Sequence, residues 1–549
     1  MKNKRGLFLT NIVSKLYEKT IKNRNEQNLN KGISENQNGG KSGRAPIDVV
    51  MLLLAIIERN IYLGNDTYLT FTDIEKCFDN LWLDDCIVDV WKNGMQTSDA
   101  VMTRRMNDKS KVKVETPFGV TNEIQLKSVV KQGGVAGVTL CCSSIDSINK
   151  GGRKIVTMYG PELEINAQAY VDDISSAGSA TTANNTIYNC SLMEERKRVS
   201  VNTDQGKSAV MIVKGKKKNK DREITEEVSR GEIQKCNEYK ALGTWINSKG
   251  NYETNIENIN NKLQGMISST KRMGASEEVG IMAVQARLKL YETTMLPSIL
   301  YNVEAYAKLA EKEIKELERI QHSVLVQLLE LPIVHNVYRY TDGTGLGMWT
   351  MEARPHYRKL MLYHRIMHSD DNRNIKRLIR VQIKYLRPGT WYHEILKICK
   401  MYNIEDTVET CLKSHWKKLV KKKIDIQQEN QIRTTCLEQH KTRIVKSNRW
   451  KRQEYVNRCT IQDVSRIMKT RLFAHNIPCN MRSNREMKKC ELCGKKAFLQ
   501  LEHYMKCNGT KRLRTSWSWN ENKNIKDICE IVELKKMSRL MESMQKLLV

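Results

Sequence analysis

The stretch Ile165-Asn166-Ala167-Gln168-Ala169-Tyr170-Val171-Asp172-Asp173-Ile174-Ser175-Ser176-Ala177-Gly178 constrains the fold of this chain most. Leu163, Ile165, Ala167, Ala169 and Val171 alternate with more polar neighbours, the period of a half-buried strand, and a second short apolar-polar run follows the aspartates. Two carboxylates are therefore expected at a hairpin turn. Adjacent like charges raise each other's pKa, so a rigid turn carrying both is costly unless donors or a cation neutralise it; a hard divalent ion fits. Two further pairs, Asp84-Asp85 and Asp370-Asp371, lie in stretches that read as solvated helix or loop. A partner elsewhere has to single out Asp172-Asp173.

One such partner stands about a hundred residues upstream. Thr67-Tyr68-Leu69-Thr70-Phe71-Thr72 is rich in β-branched and aromatic residues and ends at Asp73, where a helical pattern begins with Ile74. By position alone Asp73 is either a helix N-cap or an acidic group at the end of a buried strand. Around it, the spacing predicts a helix over Ala45 to Asn60 with Pro46 in its first turn, and a mobile, Asn-rich loop from Asn23 to Gly40. Val129 to Gly137 holds three glycines that allow close approach of a ligand or template. Helices over Thr139 to Ile148 and Asn184 to Arg198, a strand from Ser208 to Val213 and a hairpin within Tyr239 to Ile246 complete an α+β sheet with helices on one face. Beyond Asn251 the pattern is mostly helical, as in Ile314, Leu317, Ile320, Val324, Leu325 and Leu328.

The charge narrows the partner. The 549 residues carry 92 Lys and Arg against 62 Asp and Glu, a formal +30 that favours an extended polyanion, with nucleic acid the first choice. Between Cys411 and Thr510 there are 24 basic and 8 acidic residues, so more than half of the excess lies in the C-terminal part, the expected grip on a phosphate backbone. The longest apolar run, Val49 to Ile57, is too short to span a bilayer, and no membrane partner is expected. Fifteen cysteines without a secretory signal point to a reducing interior, cytoplasmic and nuclear.

Taken in order, these pieces resemble a reverse transcriptase of the non-LTR retrotransposon (LINE-type) family over roughly residues 1 to 330, and again near the C-terminus. Asp73 with Phe78 resembles the first acidic motif of the polymerase palm, and Gln132-Gly133 the template and nucleotide-binding loop. Tyr170-Val171-Asp172-Asp173 is similar to the aromatic-x-Asp-Asp hairpin, Lys207 to the lysine of the fourth motif, Leu242-Gly243 to the primer-grip hairpin, and Arg5 to the fingers arginine that holds the triphosphate. The resemblance implies an α+β right-hand polymerase, with fingers, palm and thumb. Residues 1–66 would be partial fingers, 67–250 palm with an inserted fingers segment (the reverse transcriptase domain spanning about 1–250), 251–335 a helical thumb and 336–480 a basic helical connector. A zinc knuckle over 481–515 and a tail over 516–549 would follow.

It further implies RNA-directed DNA synthesis on an RNA template, from a DNA primer or target DNA and dNTPs. Two Mg²⁺ ions, with Mn²⁺ as substitute, would sit on Asp73, Asp172 and Asp173. Phe78 would be the gate against the sugar, Tyr170 would line the nucleotide, and Lys207 would give a proton to pyrophosphate. Lys131 and Val138 depart from the family pattern, which more often has proline at both places. The chain begins almost at the fingers motif, so an N-terminally truncated copy is expected, and a catalytically impaired remnant that only binds nucleic acid is the alternative.

Cys490-x2-Cys493-x9-His503-x3-Cys507 offers three thiolates and an imidazole at spacings that close a tetrahedral structural Zn²⁺ site, with Gly494 permitting the turn after the first pair. Its position resembles the Cys-Cys-His-Cys knuckle near the end of LINE-type proteins. Arg482, Arg485, Lys488, Lys489, Lys495 and Lys496 around it could contact phosphates. Trp391, Trp416 and Trp450 in the connector are read as core residues rather than base-stacking platforms.

Overall fold

The computed structural model describes residues 8–108, 110–125, 130–217, 223–274, 284–330, 346–438, 452–471, 487–498, 501–504, 506–517 and 531–548. It is a mixed α+β structure, as the strand and helix periods predict, and it divides into two compact units. The first comprises Met1–Asn255, Ala305–Lys308 and Tyr363–Lys397; the second comprises Ile256–Glu304, Leu309–Leu362 and Ile398–Val549.

The first unit opens with helix α1 (Ile12–Gly32), capped by Asn11, whose side chain accepts the Ser14 N–H at 2.7 Å. This helix runs through most of the Asn-rich stretch, and the residues after it do not form a mobile loop. Asn36, Gln37 and Asn38 are buried, and their backbone pairs with strand β2 (Gln168–Tyr170): the Ala169 N–H donates to Asn36 O at 2.8 Å and the Asn38 N–H to Ala169 O at 2.7 Å. The polarity that suggested solvent instead satisfies a strand edge that would otherwise be left unpaired.

Helix α2 (Pro46–Leu63) begins with proline in the first turn and ends at Gly64, whose φ of 75° and N–H to Ile61 O at 3.1 Å close the last turn. All nine residues of its apolar run, Val49 to Ile57, are buried, so the run is a core helix. No helix among the described residues is long and apolar enough to cross a membrane.

Strands β1 (Thr67–Thr72), β2, β3 (Asp173–Gly178), β4 (Ala209–Val213) and β5 (Lys235–Cys236) form one sheet in the order β5-β4-β1-β3-β2. The β1, β3 and β2 neighbours run antiparallel, as do β1 and β4, while β4 and β5 are parallel. Helices α3 (Val135–Ile145) and α4 (Ala180–Lys197) contribute Leu140, Cys141, Ile145, Ile187, Cys190 and Met193 to the same core cluster as Ala169, Ile174 and Val210 of the sheet. A separate hairpin of β6 (Glu238–Ala241) and β7 (Thr244–Asn247) comes next in the chain.

Tyr363–Lys397, which the sequence groups with the connector, is part of this first unit. Asp48, 1 % exposed, is the reason: besides capping the Ala45 N–H at 3.0 Å it pairs with the guanidinium of Arg373 at 2.6 Å and with Arg365. Trp391 is buried in the same segment.

In the second unit, helix Glu311–Leu329 buries Leu317, Ile320, Val324, Leu325 and Leu328 on one face, as their spacing predicts. Trp416 is fully buried and its indole N–H donates to Leu360 O at 3.0 Å, so it is a core residue; Trp450 lies outside the described residues.

Removing one partner of a buried charge pair strands the other, which costs about 3–5 kcal/mol. Asp48→Asn is therefore expected to destabilise the first unit by about 3 kcal/mol or more. Denaturant unfolding of wild type and variant checks this; equal midpoints would contradict it.

Candidate functional site

The register of the central strands brings the acidic residues to one end of the sheet. Thr72 pairs with Ile174, so Asp73, next after Thr72, and Asp173, just before Ile174, leave the ladder side by side. Tyr170 pairs with Asp173, which makes Val171 and Asp172 a two-residue loop. Val171 has a φ of 63°, and a β-branched residue in this left-handed region costs about 1–2 kcal/mol.

Asp73 is not a helix N-cap. The next helix, Cys77–Asn80, has Lys76 at its cap. Asp73 is held instead from the opposite side of the sheet: its N–H donates to Ser208 Oγ at 3.1 Å, and its carbonyl accepts the Asn202 N–H at 2.8 Å. The carboxylate oxygen Oδ2 accepts from Asn202 Nδ2 at 3.4 Å and lies 3.6 Å from Lys207 Nζ. With the Lys207 side chain 47 % exposed, this pair is weak and the ammonium can leave it.

Two sets of neighbours report where the charges point. Burial, then the charges of Asp173 and Asp73, pushes the Tyr239 hydroxyl well above the usual phenol range. That hydroxyl donates to Lys207 O at 2.5 Å, and its ring stacks on Phe71 at 4.3 Å between centroids. Asp172 acts on α3 instead. The Cys142 thiol is raised first by burial and in smaller part by Asp172; Cys141 is raised first by its contact with Cys77, Sγ to Sγ 3.1 Å, with Asp172 a lesser cause. Asp73 and Asp173 thus both lie near Tyr239, and Asp172 lies near α3, the helix that follows the glycine loop.

Three carboxylates at adjacent strand ends are a hard oxygen donor set, which suits Mg²⁺ or Mn²⁺. Their ligand oxygens do not form a group lying wholly within 4.8 Å; among the described residues that closeness is reached by one cluster, near the C-terminus. The other aspartate pairs are solvated: Asp84 pairs with Arg104, and Asp371 with Lys376 and Arg380, all but Lys376 well exposed.

The remaining residues singled out in the sequence have these surroundings. Phe78 is half-buried and packs on the core cluster. Gln132 O accepts the Phe8 N–H at 2.9 Å, and Gly133, at φ 113°, has no room for a side chain because a Cβ would lie 2.7 Å from Phe8 O. Leu242 and Gly243, at φ 48° and 83°, form the two-residue loop of the β6-β7 hairpin, where glycine at the second place relieves strain. Tyr170 is half-buried beside Asp173. Arg5 lies outside the described residues. Asn202, Ser208 and Tyr239 carry no motif of their own; the one sequence signal for them is their closeness to Lys207 and to the second hairpin.

The C-terminal cluster is built on a hairpin, Met487–Lys489 and Lys496–Phe498, that carries Cys490 and Cys493 in its turn. Gly494, at φ 69°, donates its N–H to Cys490 O at 2.8 Å, and helix Leu501–Tyr504 carries His503. All four ligand atoms lie within 4.8 Å of one another, with Cys490 Sγ to Cys507 Sγ at 3.9 Å and Cys493 Sγ to His503 Nε2 at 3.7 Å. Four ligands about 2.0–2.3 Å from a tetrahedral zinc stand roughly 3.5–3.8 Å apart, so the set fits that ion. Arg514 donates to Cys507 O at 2.5 Å and fixes the last ligand. Lys489, Lys495 and Lys496 are exposed beside it; Arg482 and Arg485 lie outside the described residues.

A mostly antiparallel sheet with carboxylates at paired strand ends, and a second hairpin whose Tyr239 stacks on Phe71 of the central strand, is compatible with a polymerase palm. Residues 1–246 match the family model of the reverse transcriptase (RNA-dependent DNA polymerase), so the chain carries a reverse transcriptase domain, a nucleotidyltransferase domain, over that span. No curated protein matches the chain. Among solved structures it is similar to the telomerase from Candida albicans, determined in complex with a TWJ fragment of telomeric RNA, at 9% identity and a TM-score of 0.30; the match covers 70% of this chain and spans 58% of that one.

Proposed function

We propose that the chain is the RNA-directed DNA polymerase of a non-LTR retrotransposon, adding deoxynucleotides from dNTPs to the 3′ end of a DNA primer or target on an RNA template. The observation that carries this reading is the β1-β3 register, which sets Asp73 beside Asp173 within a reverse transcriptase domain.

Asp73, Asp172 and Asp173 would hold two Mg²⁺ ions, for which Mn²⁺ can substitute. Such ions, when bound, supply activation of the primer 3′-hydroxyl and neutralisation of the triphosphate. The chain's own residues would do the rest. Phe78 would sit against the sugar and reject a 2′-hydroxyl, and Gln132, Gly133 and Tyr170 would line the base and template. Arg5 would bind the triphosphate. Lys207, whose half-exposed ammonium lies 3.6 Å from Asp73 Oδ2, would deliver its proton from Nζ to the leaving pyrophosphate. Leu242 and Gly243, in a tight loop two residues beyond the Tyr239–Lys240 pair, would grip the primer.

At the C-terminus, Cys490, Cys493, His503 and Cys507 would hold a structural Zn²⁺, which folds a segment too small to bury its own core. The exposed Lys489, Lys495 and Lys496 would then reach RNA or target-DNA phosphates.

On an RNA template with a DNA primer and Mg²⁺, the chain is expected to extend the primer, and Asp172→Ala to reduce the rate by roughly a thousandfold or more. Equal extension by the variant would overturn the polymerase reading and leave nucleic-acid binding as the chain's activity. For the knuckle, the purified chain is expected to carry one zinc equivalent by elemental analysis, lost in Cys493→Ser together with His503→Ala. A metal-free wild type purified without chelator would remove the knuckle.

A further inference from the structure

The carboxylate hairpin contains a strained residue that it does not hold by itself. Val171 stands at φ 63° in a loop of two residues, next to Asp172. Its peptide groups are held from outside the hairpin, by a side chain 134 residues away in sequence. Gln37 Oε1 accepts the Val171 N–H at 3.0 Å, and Gln37 Nε2 donates to Val171 O at 3.1 Å.

The clamp is itself fixed. Gln37 is fully buried, and its Oε1 also accepts the Gly39 N–H at 2.9 Å, so two N–H donors settle which end of the amide is oxygen. Gly39 lies so close to the turn that a Cβ there would be 2.3 Å from Val171 N. On either side, Asn36 and Asn38 pair with the backbone of Ala169, and their side chains meet Gln168: Asn38 Nδ2 donates to Gln168 Oε1 at 3.1 Å, and Gln168 Nε2 donates to Asn36 Oδ1 at 3.0 Å. These amides pair with one another, with the strand edge and, at Asn36 Oδ1, with Asn374 Nδ2 at 2.9 Å, and the Gln37 amide among them fixes the orientation of the Val171 peptide, next to Asp172.

We propose that Gln37 is a positioning residue for the metal-binding carboxylates, its amide clamping the left-handed Val171 peptide so that Asp172 is held in the turn next to Asp173, which the β1-β3 register sets beside Asp73. The inference rests on the polymerase reading of those carboxylates. Without the clamp, the turn relaxes out of the left-handed region and carries Asp172 with it. A glycine at 171 occupies that region without strain and so depends less on the clamp.

Wild type, Gln37→Met, Val171→Gly and the Gln37→Met/Val171→Gly double variant of the full chain test this. Three readouts are compared: Mn²⁺ affinity by paramagnetic resonance, primer extension, and amide exchange of the peptide spanning Val171. Gln37→Met is expected to weaken Mn²⁺ binding and slow extension about tenfold or more and to speed amide exchange, and the Gln37→Met effect to shrink at least severalfold in the Val171→Gly background. Equal effects in both backgrounds, or unchanged amide exchange in Gln37→Met, would overturn the clamp. If wild type neither binds Mn²⁺ nor extends a primer, the polymerase reading fails while the exchange cycle, which needs no metal, still decides whether Gln37 holds the turn.

Discussion

The carboxylate end of this molecule depends on one register: Thr72 opposite Ile174. Side chains in a strand alternate between faces, so a slip of one residue would send Asp73 to the other face from its partner and exchange Leu69 and Phe71 with Tyr68, Thr70 and Thr72 in a strand packed on both faces. The register is therefore enforced by the core rather than by the acidic residues, which repel each other. Hydrophobic burial of the central strands holds like charges together, and the site uses that stability.

The same logic applies at the edge of the sheet. Strand β2 is short and would leave a row of unpaired backbone groups beside the carboxylate turn. The Asn36–Asn38 strip covers it with backbone and amide partners, and Asp48, deep in the same unit, fastens the Arg365–Arg373 segment by ion pairs. Polar groups in this unit work where they are paired and buried together, a costly arrangement when any one partner is lost.

Much of this was legible in the sequence. The strand Thr67–Thr72, the helix entered at Pro46, the buried face of Glu311–Leu329 and both hairpins follow from residue periodicity and turn chemistry, which are local properties. The Cys490 to Cys507 spacing likewise sufficed to gather four ligand atoms, because short loops leave them little else to do. What escaped was non-local. The Asn-rich segment reads as solvated unless Ala169 and Gln168, about 130 residues on, are known to receive its amides. Asn202 and Ser208, about 130 residues on, hold Asp73 at its strand end, and two arginines more than three hundred residues away share Asp48. Tyr239 has no motif at all; only its place above Phe71 gives it the charges of Asp73 and Asp173.

The central claim is that Asp73, at the end of one strand, and Asp172, in the hairpin loop that leads into its neighbour, bind the same metal. Anomalous scattering from crystals of the full chain soaked in Mn²⁺ tests it most directly. The account predicts an anomalous peak at the strand ends, with carboxylate oxygens of both Asp73 and Asp172 roughly 2.1 Å away. Manganese bound elsewhere with none at these strand ends, or the two carboxylates on opposite faces of the sheet, would contradict it.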